Sequence, residues 1–288
     1  MSILPFIAAG IGVGAVYALS GVGLIVLYRA SGTLNFAFGA LGAIGAYTTW
    51  TLLGAAVPPA AAWAAGIALS AALSFGYGAL VAPRLAHRDR VVRAVGTLGF
   101  ALFILGLTGL LWGEAVPRRL TLPTDHVSLA LFGVRVTYTR LGTLLVALAM
   151  VGAIALLLGA TRLGLHMRAL ADDRQISSLI GVRVVRTDAL AWLISGVFAG
   201  AAGLLLADLV ALNAAFLTFL VIPAIAAAIF GRLRSLTATA IGGFLAGVID
   251  AMLSSVPWLS PYRSAAPFVL ALAFITLVAG RDRMAALG

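Results

Sequence analysis

The sequence predicts an all-α protein that crosses a membrane many times. Of its 288 residues, 62% are hydrophobic and only 10% are charged, and the mean hydropathy is +1.13. Long apolar runs also recur along the whole chain. Soluble domains carry about 25% charged residues, so a chain this apolar cannot hide its surface in one soluble core. It must therefore dissolve in a bilayer.

Nine apolar segments approach the roughly 20 residues that a membrane-spanning helix needs. They are residues 3–28, 36–53, 60–81, 94–112, 141–160, 189–212, 216–230, 236–253 and 265–278. The second, seventh and ninth are short, so they are either extended by their neighbours or are broken or re-entrant. We therefore expect about nine spans (eight to ten) in a single transmembrane domain over residues 1–288.

Arginine supplies all 19 basic residues, and the formal net charge is +10. After spans one, three, five, seven and nine come, in order, Arg29; Arg84, Arg88, Arg90 and Arg93; Arg162, Arg168, Arg174, Arg183 and Arg186; Arg232 and Arg234; and Arg281 and Arg283. This positive-inside pattern predicts an external N-terminus and a cytoplasmic C-terminus. The opposite gap 113–140 also holds arginines, and its residues 129–138 alternate enough for a short outer hairpin or strand.

Several chemistries are absent from the sequence. Without lysine the chain cannot form a P-loop, so any ATP-driven work belongs to a partner. It has no cysteine and no HExxH, GxSxG or metal-ligand spacing, and its three histidines lie in polar gaps. We therefore expect no enzyme activity, no metal and no cofactor bound by this chain.

Two acidic residues lie near membrane depth, Asp208 late in the sixth span and Asp250 late in the eighth. An ionisable group inside a membrane is costly and suggests a function. Both residues are either paired or solvated near the ends of their spans, or they couple proton or sodium movement to transport.

The segment 31–40 joins the first two spans and contains Gly32, Asn35 and Gly39. Glycines together with a polar residue among apolar neighbours indicate a helix break. Such breaks are tolerated where they are buried in protein or line a wet cavity. A simple cytoplasmic turn explains the same residues equally well.

Residues 161–188 form a polar loop between two long apolar segments. Met167, Leu170 and Ala171, followed by Ile176, Leu179 and Ile180, make two apolar stripes at helical spacing. Asp173 is placed to N-cap a second helix that begins at Arg174, and Gly181 to end it. The charged face would show Arg168, Asp172 and Arg174. Such a loop either docks on a partner or packs on the protein's own spans.

The ordered motifs resemble the permease subunits of branched-chain (hydrophobic) amino acid ABC importers over most of the chain. The matching residues are Tyr17-Ala18-Leu19, Ser31 to Gly39, Gly45-Ala46-Tyr47, Thr97-Leu98-Gly99, Trp112-Gly113, Met167-Arg168-Ala169 with Asp172, Leu179-Ile180-Gly181-Val182, Gly196 to Gly203, and Gly242-Gly243 with Gly247 and Asp250. The loop and the Asn-Phe-Ala segment are the specific motifs, whereas the glycines alone are weak.

The resemblance implies a type II ABC importer-like permease bundle in a bacterial inner membrane. Its implied partners are cytoplasmic ATPase subunits that use ATP, a second permease subunit (a sister chain or a second copy) and an extracytoplasmic solute-binding protein. It also implies an ATPase-coupling role for Met167, Arg168, Ala169, Leu170, Asp172, Asp173, Arg174, Ile176 and Gly181. Candidate translocation-path residues are Asn35, Phe36, Phe38, Gly39, Asn213, Asp208 and Asp250.

Departures from the family pattern concern the pore. Phe38 and Ala40 stand where the family usually has histidine and an acid, and Asn213-Ala214 replaces a common Asn-Pro. The turn at Gly231 to Ser235 is less glycine-rich than usual. We expect branched-chain amino acids or related small amides or organic acids as solutes. The alternatives are a proton- or sodium-coupled secondary transporter that uses Asp208 or Asp250, and a membrane scaffold without a solute path.

Overall fold

The computed structural model describes residues 4–113, 118–120, 128–131, 134–210, 212–254 and 256, and isolated helical residues at 268–269, 272–273 and 276. Backbone contacts divide the chain into two compact units. Unit 1 consists of Met1–Val22, Pro123–Leu148 and Ile222–Gly288, and unit 2 consists of Gly23–Leu122 and Ala149–Val221.

Helices make up most of the described chain. In order they are α1 (Leu4–Ser31), α2 (Phe38–Gly54), α3 (Pro59–Gly76), a π-helical turn (Tyr77–Val81), α4 (Ala82–Leu85), α5 (Arg90–Trp112), α6 (Tyr138–Ala160), α7 (Arg162–Asp172), α8 (Arg174–Leu179), α9 (Val184–Leu209), α10 (Ala214–Thr218), α11 (Val221–Phe230) and α12 (Leu236–Ser254). Strands β1 (Ser128–Leu131) and β2 (Val134–Thr137) pair antiparallel with Leu129 opposite Val136, which confirms the predicted hairpin.

Six helical segments of the described chain are long and apolar enough to cross a membrane. They are Gly10–Ser31, Pro59–Leu85, Arg90–Trp112, Tyr138–Ala160, Val184–Leu209 and Leu236–Ser254. The expected count of about nine is therefore not confirmed. Helix α2 has only 17 residues, and the seventh predicted span is divided into α10 and α11. Most of the ninth, residues 265–278, lies outside the described residues.

Small residues bring α2, α3 and α9 of unit 2 together. A Cβ added to Gly42 of α2 would lie 2.7 Å from the Ala199 carbonyl oxygen, and one on Gly200 of α9 would lie 3.0 Å from the Ile67 Cα. The Ser70 hydroxyl donates to the Leu41 carbonyl at 2.7 Å. Small residues at these positions therefore allow the three helices to pack closely.

In unit 1, α1 and α12 pack in the same way. A Cβ on Gly10 would lie 2.8 Å from the Val248 Cα. The turn before α12 places Arg232 and Leu233 at φ values of 53° and 56°, a left-handed conformation that favours glycine. This is the turn at which the resembled family is rich in glycine.

Helix α2 ends in a Schellman motif that lacks the usual glycine. The Ala56 N–H donates to the Leu53 carbonyl at 3.1 Å, and the Val57 N–H donates to the Leu52 carbonyl at 3.0 Å. Ala56 has φ +59° and an exposed side chain. Glycine is the residue that normally occupies this position.

Ala56→Gly should therefore stabilise the protein by about 1 kcal/mol, because it relieves the left-handed strain without removing a buried contact. The measurement is the thermal unfolding temperature of the purified chain in detergent. Ala55→Gly is the matched control: Ala55 is also exposed but has φ −88°, so it should give no gain. Equal effects of the two substitutions would contradict the strain explanation.

Candidate functional site

Helices α7 and α8 form a two-helix loop whose first helix is anchored to its own chain. The Thr161 hydroxyl accepts the Gly164 N–H at 3.2 Å and so caps the start of α7. Gly164 lies directly against the backbone of Leu158. The side chains of Met167 and Leu170 are each only 2% exposed. The inner face of α7 is thus fixed by burial.

Both ends of α8 are capped as predicted. The Asp173 carboxylate accepts the N–H groups of Gln175 at 2.8 Å and Ile176 at 2.9 Å. At the other end Gly181 has φ +92°, and it donates to the Ser178 carbonyl while Val182 donates to the Ser177 carbonyl. This is the Schellman arrangement, and it confirms the roles predicted for Asp173 and Gly181.

The outer face of α8 is apolar and uncovered within the described chain. Ile176, Leu179 and Ile180 are 58%, 85% and 72% exposed. They are spaced so that one helix face carries all three side chains. An exposed cluster of large apolar side chains on a polar loop indicates a surface that another molecule covers.

The exposure of the loop's charged and apolar side chains differs partly from the prediction. Arg168, Asp172 and Asp173 are exposed, and Ala169 is half-buried, in line with an outward charged face. Arg174, however, turns inward, because its guanidinium is held by Asp188. Met167 and Leu170 also point into the chain's own interior, so their apolar surface is already used in packing.

Arg174 connects the loop to the end of α1. Its Nη1 donates to the Ala30 carbonyl at 2.9 Å and to Asp188 Oδ1 at 3.3 Å, and its Nη2 forms the ion pair with Asp188 Oδ2. The Arg174 side chain is 34% exposed and that of Asp188 is 13% exposed. Two helices, α8 and α9, therefore meet the end of α1 through one guanidinium.

Between α1 and α2 the chain is unwound over residues 32–37 and largely buried. Gly32 has φ +66°, and the Asn35 side-chain oxygen accepts the Ala37 N–H at 3.0 Å. This segment is thus a buried helix break, which answers the question the sequence left between a break and a surface turn.

Helix α5 supplies hydrogen bonds to the same break. Arg93 Nη1 donates to the Ser31 carbonyl at 2.9 Å. The Thr97 hydroxyl lies 3.1 Å from the Leu34 carbonyl and accepts the Phe36 N–H at 3.2 Å. Arg93, Thr97 and Asp188 were not among the predicted site residues. Their sequence signal was weak, since Arg93 counted only toward membrane orientation and Asp188 only marked the end of the loop.

The candidate path residues near this break are packed rather than open. Asn35 and Phe38 are fully buried, and Phe36 is half-buried. Gly39 is buried and lies against α10, where an added Cβ would come within 2.7 Å of the Leu217 carbonyl oxygen. The Asn35 amide nitrogen finds no acceptor among the described residues.

The remaining candidates belong to other helices or their caps. The exposed Asn213 caps α10 by accepting the Phe216 N–H at 2.9 Å. Asp208 is half-buried near the end of α9 in unit 2, and Asp250 is 5% exposed in α12 of unit 1. Among the residues that the structure describes, no group of three or more histidine, cysteine or acidic side chains is placed to hold a metal ion.

Several apolar helices of the described chain are long enough to cross a bilayer, as expected of a multi-pass membrane protein. The sequence model of the family described as "Branched-chain amino acid transport system / permease component" matches residues 6–279. The chain belongs to this family, which confirms the predicted ABC permease class. It is a family of transport permeases rather than of enzymes, and it does not favour the secondary-transporter alternative.

Individual relatives agree with the family. The high-affinity branched-chain amino acid transport system permease protein LivH of Salmonella typhimurium is 26% identical over 275 residues, which cover 91% of this chain and 89% of that protein. The corresponding permease protein BraD of Pseudomonas aeruginosa is 27% identical over 262 residues, covering 86% and 85%. PsaBC from Streptococcus pneumoniae in complex with Fab has a similar fold, with a TM-score of 0.50, 13% identity and coverage of 96% and 91%.

Asp173→Ala should loosen α8, because an N-cap carboxylate contributes about 1 kcal/mol and a six-residue helix has little else to hold it. Hydrogen–deuterium exchange of the peptide that contains Gln175 and Ile176 should become about fivefold faster. Asp172→Ala is the control, since it removes an adjacent exposed carboxylate that does not cap α8. Equal protection in the two variants would contradict the capping role.

Proposed function

We propose that this chain is the pore-forming subunit of an ATP-driven importer and that an ATPase subunit docks on the α7–α8 loop. The observation that carries the proposal is the exposed apolar face of Ile176, Leu179 and Ile180 on a helix capped at both ends. A short amphipathic helix held rigidly in this way suits a groove in a folded partner. Arg168 and Asp172, which are exposed on the neighbouring α7, would make the polar contacts.

The buried residues of the predicted coupling set have a different task in this proposal. Met167 and Leu170 fasten α7 to its own chain, so that a push on the exposed face moves the loop as a unit. Asp173 and Gly181 keep α8 helical. ATP is bound and hydrolysed by the partner, because this chain has no lysine with which to form a P-loop.

The proposed orientation places the loop 161–188 and the C-terminus in the cytoplasm and the N-terminus outside, in a bacterial inner membrane. Contacts in unit 2 support the placement of three arginine-rich gaps on the same side of the membrane. Arg93 and Arg174, from two of these gaps, both donate to the end of α1 that carries Arg29 of the third. We propose one transmembrane domain over residues 1–288, with no cofactor of its own. A second permease chain, most simply a sister chain, completes the pore, and a solute-binding protein delivers to it.

The proposed solutes are branched-chain amino acids or related small amides and organic acids. The relatives are named for branched-chain amino acid transport, whereas Phe38 and Ala40 make the break more apolar than the family pattern. In this proposal Asn35, Phe36, Phe38 and Gly39 border the path and become accessible when it opens. Asn213, Asp208 and Asp250 remain further candidates for its lining.

Competition for uptake tests the solute class. In cells that express the complete transporter, unlabelled L-isoleucine and L-valine should each reduce uptake of labelled L-leucine, because one apolar site discriminates weakly between side chains that differ by a methylene. Cells without this chain give the background. Undiminished leucine uptake in the deletion strain would contradict a branched-chain substrate.

Arg168→Glu should separate ATP hydrolysis from transport. The substitution is on an exposed surface, so folding should be little affected, but it replaces the positive charge that is proposed to contact the ATPase with a negative one. In proteoliposomes with the ATPase and binding protein, we expect transport per ATP hydrolysed to fall about fivefold or more.

Arg162→Glu is the matched control for that experiment. Arg162 is also an exposed arginine of α7, but six residues away, and therefore on another face of the helix. It should keep parental coupling. Normal transport in Arg168→Glu, or an equal loss in both variants, would count against docking through this face.

A further inference from the structure

We propose that Arg174 and Asp188 are positioning residues that transmit movement of the α7–α8 loop to the unwound segment between α1 and α2. The inference rests on the proposed function, in which an ATPase moves that loop. It goes further by assigning the mechanical connection to one ion pair and to the Ala30 carbonyl.

The Arg174 guanidinium joins two other helices. It holds both carboxylate oxygens of Asp188 on α9 and, with the same Nη1, the Ala30 carbonyl at the end of α1. A planar guanidinium can satisfy such divergent acceptors at once, whereas an ammonium is a point charge. The contact is therefore specific in direction as well as in charge.

Arg174 lies close to the exposed apolar face of the loop. It is the first residue of α8, immediately after the Asp173 cap. The apolar face that remains exposed begins two residues later at Ile176. Because α8 is capped at both ends, a displacement of this face carries Arg174 with it, and Arg174 is bonded to the end of α1.

Helix α5 contacts the same break through Arg93 and Thr97. Arg93 donates to the Ser31 carbonyl, and Thr97 contacts Leu34 and Phe36. The charge of Arg93 is within electrostatic range of both Arg174 and Asp188. The negative charge of Asp188 thus offsets the repulsion between the two guanidiniums. Arg174 holds the Ala30 carbonyl, and Arg93 holds the adjacent Ser31 carbonyl.

These contacts connect the proposed docking surface, through the Arg174–Asp188 ion pair, to the break that leads to Phe38 and Gly39. Coupling between distant sites requires an element that both sites bias. Here the element is the end of α1 together with the unwound segment 32–37. Helix α5 anchors it from one side, and the loop is bonded through Arg174 to the Ala30 carbonyl just before the unwound residues. Loss of the ion pair should leave docking of the ATPase intact, but the conformation of the break should no longer respond to the ATPase.

The absence of cysteine in this chain makes the test direct. Leu34→Cys places one thiol in the break, at a half-buried position. In the assembled complex with its ATPase subunits, the rate of maleimide labelling is measured without nucleotide and after trapping with ATP and vanadate. We expect the two rates to differ about fivefold or more in this parent.

Arg174→Gln and Asp188→Asn, each in the Leu34→Cys background, should bring the ratio of the two rates close to one while the ATPase still co-purifies. Arg174→Lys should retain a reduced ratio, because it keeps the charge but cannot hold Asp188 and Ala30 together. Arg162→Gln is the control, and should keep the parental ratio. Thermal unfolding of each complex shows whether a variant is merely destabilised.

The proposal is overturned if either neutral variant keeps the parental ratio, including a variant that only lowers the unfolding temperature. It is also overturned if the parent shows no nucleotide-dependent labelling, or if the neutral variants lose the ATPase, since Arg174 would then act in docking. Failure of the proposed function looks different: the unsubstituted chain itself would not assemble with an ATPase.

Discussion

An unwound backbone within a membrane protein must satisfy its polar groups without help from bulk water. The segment 32–37 meets this constraint with bonds from several elements of unit 2. Asn35 turns back on its own chain, Thr97 contacts the backbone on both sides of it, and Arg93 and Arg174 hold the last carbonyls of α1. Because the two arginines belong to α5 and α8, the break is secured only when those helices are in place.

The α7–α8 loop is held in place by local contacts that leave one of its faces exposed. Caps at Asp173 and Gly181 allow a helix of six residues to persist between two long ones, and burial of Met167 and Leu170 fixes its neighbour. What remains exposed is a compact apolar face, and what turns inward is Arg174. The loop thus has one exposed apolar face and one guanidinium bonded to the end of α1, which is the geometry that the proposed coupling role requires.

Much of this arrangement was predictable because it depends on local chemistry. The hairpin at 129–138, the cap at Asp173 and the stop at Gly181 each follow from a few adjacent residues, and the structure confirms them. The number of membrane spans was not predictable, because the length of an apolar segment does not show whether its helix is interrupted, as it is between α10 and α11. The outward orientation predicted for Arg174 also failed, since its partner Asp188 is supplied by another helix.

The sequence by itself determined that the chain is a membrane protein, that any ATP-driven work belongs to another subunit, and that residues 161–188 form a polar loop with two short apolar stripes. Composition, the absence of lysine and helical spacing are properties of the chain that folding does not alter. Only the tertiary structure decided that residues 32–37 are a largely buried break. It also decided that Arg93 and Thr97 bond to the backbone there and that Arg174, paired with Asp188, holds the neighbouring Ala30 carbonyl. Those contacts join residues far apart in the chain, and a side chain that can pair in several ways acquires one partner only when the helices have packed.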